Sequence, residues 1–318
     1  MDMICIMGPT ASGKTRFAVE LAKQIALRCK RGELPYNGCE IISADSRQVY
    51  RGMDIGTGKD LAEYDGVGYH LIDIVEAGTK YDLFQYKRDF QRVYNELVGR
   101  NLFPILCGGS GLYIEAVCKN YDLKEVAPDS ALRASLESKS MEELIAMLTE
   151  LKRSKGVVLH NNTDFDTKKR VIRAIEIELG GGTISSNNSE PISHYPKEIF
   201  YIALNPDREV RNARIDRRLE QRLKEGLVEE VERLLKKGIP AEDLIYYGLE
   251  YKFVTQYLTG QISYEYMKEH LAIAIHQFAK RQMTWLRGME RRGCNIMWVG
   301  DNSQTAINTI VEHIAQTI

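Results

Sequence analysis

The sequence predicts an α/β fold with a parallel sheet in its core and a mostly helical insertion. Over the first 120 residues, short apolar runs alternate with amphipathic segments of helical spacing, which is typical of parallel strands joined by helices. From about Tyr121 the pattern changes to charged, amphipathic helical segments with no strand between them. We therefore predict a core formed by residues 1–120 and 195–318, interrupted by a helical insertion at residues 121–194.

The first part of the core contains the clearest alternation of strands and helices. Apolar residues that recur every three to four positions predict helices at Phe17–Leu27 and Phe84–Val98. Short runs between turn signals predict the strands, which are Met3–Met7, Glu40–Ser43, His70–Ile74 and Phe103–Cys107.

The remainder of the chain is mostly helical. A segment rich in Gly, Ser and Asn, from Gly180 to Pro191, predicts a mobile loop at the end of the insertion. The predicted strands of the second half are Glu198–Leu204 and Asn295–Val299, with a closing helix after the latter. The predicted helices are Pro128–Leu136, Met141–Leu151 and Asp164–Leu179 in the insertion, and Asp207–Leu235, Glu242–Leu258 and Tyr264–Arg287 in the core. Residues 208–237 carry many charges of both signs, which predicts a surface helix pair.

The composition excludes several classes of protein. No apolar run approaches the roughly 18 residues of a membrane helix, and the N-terminus lacks the basic region of a signal peptide, so we expect a cytoplasmic protein without a membrane partner. None of the six cysteines forms a CxxC pair or lies at metal-ligand spacing from a histidine, which favours reduced thiols over a zinc site. The net charge of −1 does not suggest nucleic acid, although a local basic face is compatible with it. We expect a monomer.

The residues after the first predicted strand carry a phosphate-binding motif. Between a strand and a helix they satisfy the pattern GxxxxGK[ST], which makes the core P-loop NTPase-like. Glycines let backbone N–H groups surround phosphate oxygens, and the helix N-terminus adds positive potential. Lys14 would neutralise phosphate charge, and the Thr15 hydroxyl is placed to ligate Mg²⁺. The motif indicates a bound polyphosphate but not the reaction that follows; its residues are Gly8, Pro9, Thr10, Ala11, Ser12, Gly13, Lys14 and Thr15.

Two further turns follow predicted strands and would lie at the same edge of the sheet. Asp45 comes after the second strand, where a carboxylate would hold Mg²⁺ through water or act as a general base. The alternative for Asp45-Ser46 is a helix N-cap. Ser110 follows Gly108-Gly109 and offers a hydroxyl, or else it only caps the next helix. In the glycine-rich segment Met53–Lys59, Lys59 is either a surface charge or a ligand contact.

In this order, the motifs resemble the tRNA dimethylallyltransferase family, the isopentenyltransferases that modify adenosine next to the anticodon. Many enzymes share the first motif, but few share the set, which extends over nearly the whole chain. The strings that carry the resemblance are GPTASGKT (8–15), ADSRQVYRGMDIGTGK (44–59), HLIDI (70–74), PILCGGSGLYIEAV (104–117), KRVIRAIEI (169–177) and FAKRQMTWLRG (278–288).

The resemblance implies a set of partners and residue roles. Dimethylallyl diphosphate would be the donor, held by the phosphate loop with Mg²⁺, and the anticodon stem-loop of tRNA would be the acceptor. Asp45 would accept the proton from adenine N6, while Ser110 would lie beside the bridging oxygen of the leaving diphosphate. Residues implied to contact tRNA are Asp45, Ser46, Arg47, Gln48, Ser110, Arg133, Lys169, Arg170, Val171, Ile172 and Arg173. Residues implied to close the site are Lys280, Arg281 and Gln282.

The chain departs from the family pattern at three places. Ile275-His276 replaces the usual Thr-Arg pair, which removes a fixed positive charge that His276 replaces only in part. The usual Gly-Tyr step is altered around Tyr247–Tyr251, and Ser110 stands for threonine but keeps the hydroxyl. Such changes would affect turnover and RNA choice more than the reaction class, and they are compatible with a diverged second copy.

Three other functions remain open from the residues alone. A prenyltransferase acting on free adenine nucleotides would need less surface than the insertion offers. A P-loop small-molecule kinase would use the phosphate loop for ATP, but it gives no reason for the strings at 104–117 and 278–288. A non-catalytic RNA-binding protein would not need Lys14, Thr15 and Asp45 together.

Overall fold

The computed structural model describes residues 1–123, 126–154, 167–180, 195–300 and 303–317. The chain forms two compact units, of which the first comprises Met1–Tyr121 and Ser193–Ile318 and the second Asp122–Ile192. Most of the predicted loop from Gly180 to Pro191 lies outside the described residues, as does the start of the predicted helix Asp164–Leu179.

Six parallel strands form the central sheet of the first unit, in the order β4-β2-β6-β1-β7-β8. They are β1 (Met3–Met7), β2 (Gly38–Ala44), β4 (Tyr69–His70), β6 (Leu102–Gly108), β7 (Ile199–Leu204) and β8 (Ile296–Val299). A separate parallel pair consists of β3 (Tyr50–Arg51) and β5 (Val75–Glu76). Because parallel strands end at one edge, the residues that follow β1, β2 and β6 lie close together. The α/β fold class with a parallel sheet is confirmed.

Helices cover both faces of this sheet, which explains why β1 is apolar at every position. Ile4 and Ile6 pack in one core with α1 and α12, whereas Met3, Cys5 and Met7 pack on the opposite face with α2, α3, α8 and α11. The helices of this unit are α1 (Lys14–Lys30), α2 (Leu83–Gly99), α3 (Gly111–Cys118), α7 (Arg208–Glu225), α8 (Leu227–Lys236), α9 (Ala241–Tyr246), α10 (Leu249–Leu258), α11 (Tyr264–Arg291) and α12 (Ser303–Thr317).

The second unit contains three helices in its described part, α4 (Ser130–Glu137), α5 (Met141–Ser154) and α6 (Lys168–Leu179). They share a small core of their own, to which Leu144, Leu148, Val171 and Ile175 contribute completely buried side chains. Across the described ranges of both units, no helix is long and apolar enough to cross a membrane.

Three predicted elements differ from the structure. The predicted helix Asp207–Leu235 is divided at Gly226, whose φ of 103° ends α7 and starts α8. Gly248, at φ 146°, divides the predicted helix Glu242–Leu258 in the same way, into α9 and α10. The predicted strand His70–Ile74 was wrong beyond His70, because Leu71 and Asp73 have φ values of 61° and 55° that strand backbone does not adopt.

A substitution at Gly108 would test how closely β2 and β6 approach each other. A Cβ at this position would lie 2.2 Å from the carbonyl oxygen of Ala44, which is backbone and cannot turn aside. We expect Gly108→Ala to lower the free energy of unfolding by about 1–3 kcal/mol or more. Gly99→Ala is the matched control, because nothing lies within 4 Å of a Cβ there. Chemical denaturation measures both variants, and equal stability of the two would contradict this account of Gly108.

Candidate active site

The phosphate loop connects β1 to α1 in a conformation that leaves its polar groups available. Gly13 has φ 84° and occupies the N-cap position of α1, where it provides no capping side chain. The backbone N–H groups of the first turn therefore point into the loop without a side-chain acceptor. A Cβ on Gly8 would lie 2.5 Å from Ser12 Oγ, which explains the glycine. Ser12 Oγ is buried and has no hydrogen-bond partner within the described chain. A bound phosphate oxygen would satisfy this hydroxyl and the helix N–H groups together.

Lys14 brings positive charge to this loop, although its burial disfavours the charged form. Its Nζ donates a hydrogen bond to the carbonyl oxygen of Pro9 at 3.3 Å. Burial lowers the pKa of the Lys14 ammonium; nearby Arg218 and Arg222 act in the same direction and Asp45 acts against it. An anion bound at the loop would favour the charged form of Lys14 and would offset the effect of burial.

Arg218 and Arg222 were not predicted to belong to the site. Both guanidinium groups converge on Gly58, where a Cβ would lie 2.3 Å from Arg218 Nη2 and 1.7 Å from Arg222 Nη2. Arg222 is only 8% exposed and donates to Glu250 at 3.2 Å. It follows the buried Leu219 by three positions on α7, so its place on the apolar face of the helix was the available signal.

A buried carboxylate holds the segment that receives these arginines. Glu230 on α8 is 2% exposed and accepts hydrogen bonds from the backbone N–H groups of residues 54, 55 and 56 at 2.8, 2.8 and 3.0 Å. It also accepts from the hydroxyl of Tyr251 at 2.7 Å. The prediction of a surface helix pair at 208–237 was therefore wrong for Glu230 and Arg222, both of which are buried.

Lys59 is a structural residue of the same segment. Its ammonium is 1% exposed, donates to the Tyr50 carbonyl oxygen at 2.7 Å and pairs with Asp54 at 2.6 Å and with Asp73. Neither a surface charge nor a ligand contact describes it, because three protein oxygens already surround the ammonium.

Asp45 and Ser110 lie on adjacent turns and are joined through Ser46. The backbone N–H of Ser46 donates to Ser110 Oγ at 2.9 Å, and Asp45 Oδ1 accepts from the backbone N–H of Arg47 at 2.9 Å. The helix N-cap alternative for Asp45 was wrong, since turns and β3 follow it rather than a helix. Ser110 does occupy the N-cap position of α3, yet its side chain makes no capping hydrogen bond.

Gln48 and Gln282 tie the loops of the site to one another. Gln48 accepts from the Ser43 hydroxyl at 3.1 Å and donates to the carbonyl oxygen of Gly58 at 3.0 Å. Gln282 on α11 accepts from the Thr10 N–H at 2.8 Å and donates to the Gly109 carbonyl oxygen at 3.0 Å. One amide side chain thereby links the phosphate loop to the turn that carries Ser110.

The other residues of α11 have different surroundings. Lys280 and Arg281 are exposed, and the guanidinium of Arg281 lies 5.8 Å from the ring centre of Phe278. The Trp285 indole packs so closely on Gly111 that a Cβ there would lie 2.4 Å from it. His276, which replaces the expected arginine, has its Nε2 2.7 Å from Asp216 Oδ1.

In the second unit, a buried glutamate engages two of the predicted tRNA contacts. Glu176 is 1% exposed, accepts from Arg133 Nε at 2.9 Å and Nη2 at 2.7 Å, and also pairs with Arg173. The side chains of Val171 and Ile172 are 0% and 4% exposed and belong to the core of the unit. Lys169 and Arg170 are exposed.

The fold and the site define a class: α/β proteins with a GxxxxGKT loop between the first strand and helix of a parallel sheet. Within it, the chain belongs to the family described as IPP transferase, whose model matches residues 48–289. The chain is 53% identical to tRNA dimethylallyltransferase 1 of Parabacteroides distasonis, over 94% of its length and 92% of the relative's. Its identity to tRNA dimethylallyltransferase 1 of Porphyromonas gingivalis is 54%, over 93% of each.

A solved structure shows the same fold. The full-length tRNA isopentenylpyrophosphate transferase of Bacillus halodurans is 31% identical to this chain and superposes with a TM-score of 0.69. The superposition covers 99% of this chain and 96% of the other. The resemblance drawn from the sequence motifs is therefore confirmed.

The Gln282 link predicts a measurable change in the phosphate loop. We expect Gln282→Leu to cost about 1–3 kcal/mol in the free energy of unfolding, because the Thr10 N–H and the Gly109 carbonyl lose their partners. Hydrogen exchange at Thr10 should accelerate with it. Gln277→Leu, at an exposed position of the same helix, serves as the control. Unchanged exchange at Thr10 in the Gln282 variant would show that this link does not hold the loop.

The lowered pKa of Glu176 leads us to expect that acid destabilises the second unit. Burial alone would raise the pKa of this carboxyl, but hydrogen bonds from Arg133, Arg173 and the Asp129 N–H outweigh burial and lower it to about 2. A depressed pKa contributes stability above the unfolded value, and that stability is lost as the pH falls from about 4.5 towards 2.

We expect the second unit to lose about 2–3 kcal/mol over that pH range, measured by exchange of the α6 amides after correction for intrinsic rates. Glu176→Gln should remove most of this pH dependence while destabilising the unit at neutral pH, because it leaves Arg133 and Arg173 without their carboxylate. An identical pH dependence in the variant would contradict the assignment.

Proposed function

We propose that this protein transfers the dimethylallyl group from dimethylallyl diphosphate to N6 of an adenosine next to the anticodon in tRNA, releasing diphosphate. Family membership and relatives named tRNA dimethylallyltransferase at 53% and 54% identity support the reaction class. The observation that carries the proposal is the Gln282 link, which holds a phosphate-binding loop against the turn that bears Ser110, next to Asp45.

The phosphate loop is proposed to hold the diphosphate of the donor. Lys14, the N–H groups at the start of α1 and the unsatisfied Ser12 hydroxyl supply hydrogen-bond donors and positive charge. Arg218 and Arg222 add to the positive potential at Lys14. As the allylic carbon–oxygen bond breaks, negative charge grows on the diphosphate, so fixed positive groups lower the barrier.

The same loop is compatible with Mg²⁺. The described residues contain no cluster of three or more His, Cys, Asp or Glu side chains that could hold a metal ion by themselves. Mg²⁺ is commonly bound by one or two protein oxygens together with substrate phosphates, which matches a Thr15 hydroxyl beside a diphosphate site. The ion would neutralise charge on the leaving group.

Asp45 and Ser110 are proposed to act on the two sides of the reacting carbon. As adenine N6 bonds to the allylic carbon and the carbon–oxygen bond breaks, Asp45 accepts the proton that N6 loses. The Arg47 N–H orients this carboxylate. Ser110, positioned by the Ser46 N–H, offers its hydroxyl to the bridging oxygen of the diphosphate. Adenine N6 is a weak nucleophile, so positioning and a nearby carboxylate are what the protein contributes.

The proposed tRNA contacts divide according to their surroundings. Asp45–Gln48 and Ser110 lie at the edge of the sheet, where a splayed-out adenine would meet them. In the second unit, Lys169 and Arg170 offer exposed charge, so we assign the RNA contact there to them. Reduced thiols at all six cysteines and a tRNA substrate favour the cytoplasm.

One experiment tests this function against its alternatives. The protein is incubated with labelled dimethylallyl diphosphate, Mg²⁺ and either unmodified tRNA or AMP. Label is expected in tRNA. Label in AMP but not in tRNA would overturn the proposal in favour of a prenyltransferase for free nucleotides. No label in either, with ATP consumed instead, would indicate a kinase.

Asp45→Asn tests the proton acceptor. The amide oxygen still accepts from the Arg47 N–H but is a much weaker base, so we expect kcat to fall about 10²–10⁴-fold with tRNA affinity roughly unchanged. Single-turnover transfer and gel-shift titration measure the two quantities. Asp65→Asn, which alters an exposed carboxylate paired with Lys23, is the control. Loss of RNA binding with normal chemistry would show that Asp45 is a binding residue instead.

A further inference from the structure

Tyr246 is unusually exposed for an aromatic residue. It is the last residue of α9, and 68% of its surface is accessible, more than for any other large apolar or aromatic side chain in the described ranges. An aromatic ring gains more from burial than from water, so an open ring face beside a binding site indicates a partner.

The residue next to Tyr246 is fixed by hydrogen bonds and by an aromatic neighbour. Tyr247 accepts a hydrogen bond from the Gly78 N–H and donates one to the Thr79 carbonyl oxygen, both at 2.8 Å. Its ring centre lies 4.4 Å from that of Tyr50 and 6.3 Å from that of Tyr246. The backbone that carries Tyr246 is therefore held in place by its neighbour.

Arg47 connects this ring to the proposed proton acceptor. Its guanidinium lies 5.5 Å from the ring centre of Tyr246, and its backbone N–H binds Asp45 Oδ1. Within the part of the chain that the structure describes, the Arg47 guanidinium pairs with no carboxylate, so its charge is not consumed by the protein. A planar cation and an exposed aromatic ring thus lie together, and the backbone of the arginine is bonded to Asp45.

We infer that Tyr246 and Arg47 form a stacking platform for an unpaired RNA base that flanks the target adenosine. This inference rests on the proposed function and extends it. An adenosine that leaves the stack to reach Asp45 leaves a neighbouring base without its stacking partner. Proteins bind such bases on aromatic rings and arginine planes, and arginine also attracts the adjoining phosphate. Tyr246 is a positioning residue in this scheme, since it contacts the RNA but not the reacting atoms.

Binding of an anticodon stem-loop RNA to three variants tests the platform. We expect Tyr246→Leu to raise the Kd and the KM for RNA about tenfold, because it removes the ring, while kcat at saturating RNA stays close to that of the wild type. Tyr246→Phe keeps the ring and should bind as the wild type does. Tyr266→Leu, at another exposed tyrosine, should have no effect.

An RNA carrying an abasic nucleotide on one side of the target adenosine, or on the other, identifies the stacked base. At one of the two flanking positions, the wild type should bind the abasic RNA more weakly than the intact RNA. Tyr246→Leu should bind both RNAs with the same reduced affinity. If both proteins lose equal affinity at both flanks, or if Tyr246→Leu binds intact RNA as the wild type does, the platform is refuted while the proposed function stands. Failure of the wild type to bind the stem-loop would overturn both.

Discussion

The register of three parallel strands is the constraint on which the site depends. Gly108 of β6 pairs with Met7 of β1 on one side and with Ala44 of β2 on the other, so the three strands end at the same level of the sheet. The residue after each strand end begins a functional turn. A slip of one position in β6 would reverse every side chain on that strand and would move Ser110 away from Ser46. Pairing that buries both faces of the sheet thus also assembles the polar groups at its edge.

Charge is distributed unevenly around this edge, and the distribution is built from buried groups. Glu230 satisfies three consecutive backbone N–H groups, which fixes the segment at 54–56 and lets Arg218 and Arg222 meet at Gly58. A buried carboxylate without such donors would be strongly unfavourable. Its negative charge is used on backbone dipoles, while Arg218 pairs with Asp60 and Arg222 pairs with Glu250. Both guanidinium groups also act electrostatically on Lys14.

Local patterns in the sequence predicted the strands and helices that lie nearest the site. β1, β2 and β6 were expected within one or two residues, because runs bounded by glycine are a short-range signal. The divided helices were missed although Gly226 and Gly248 were visible, since a glycine inside a periodic segment does not reveal its φ.

The contacts of Glu230 and Arg222 could not be predicted, because both residues bind a segment that is more than 160 positions away along the chain. The sequence shows their charge but not what lies opposite. Gln282 was predicted to close the site, and its two hydrogen bonds now suggest how it would do so.

Under the proposed function, the phosphate loop would hold a leaving group. In a kinase the same loop would hold the part of the nucleotide that stays behind, and an acceptor would approach the terminal phosphate. Here Asp45 and Ser110 belong to two turns that are tied together at Ser46, and Gln282 ties the turn of Ser110 to the loop. Under the proposed function, groups placed in this way would act on the bond that joins a diphosphate to carbon. The loop would hold the diphosphate while the carbon chain passes to the acceptor on the side of Asp45.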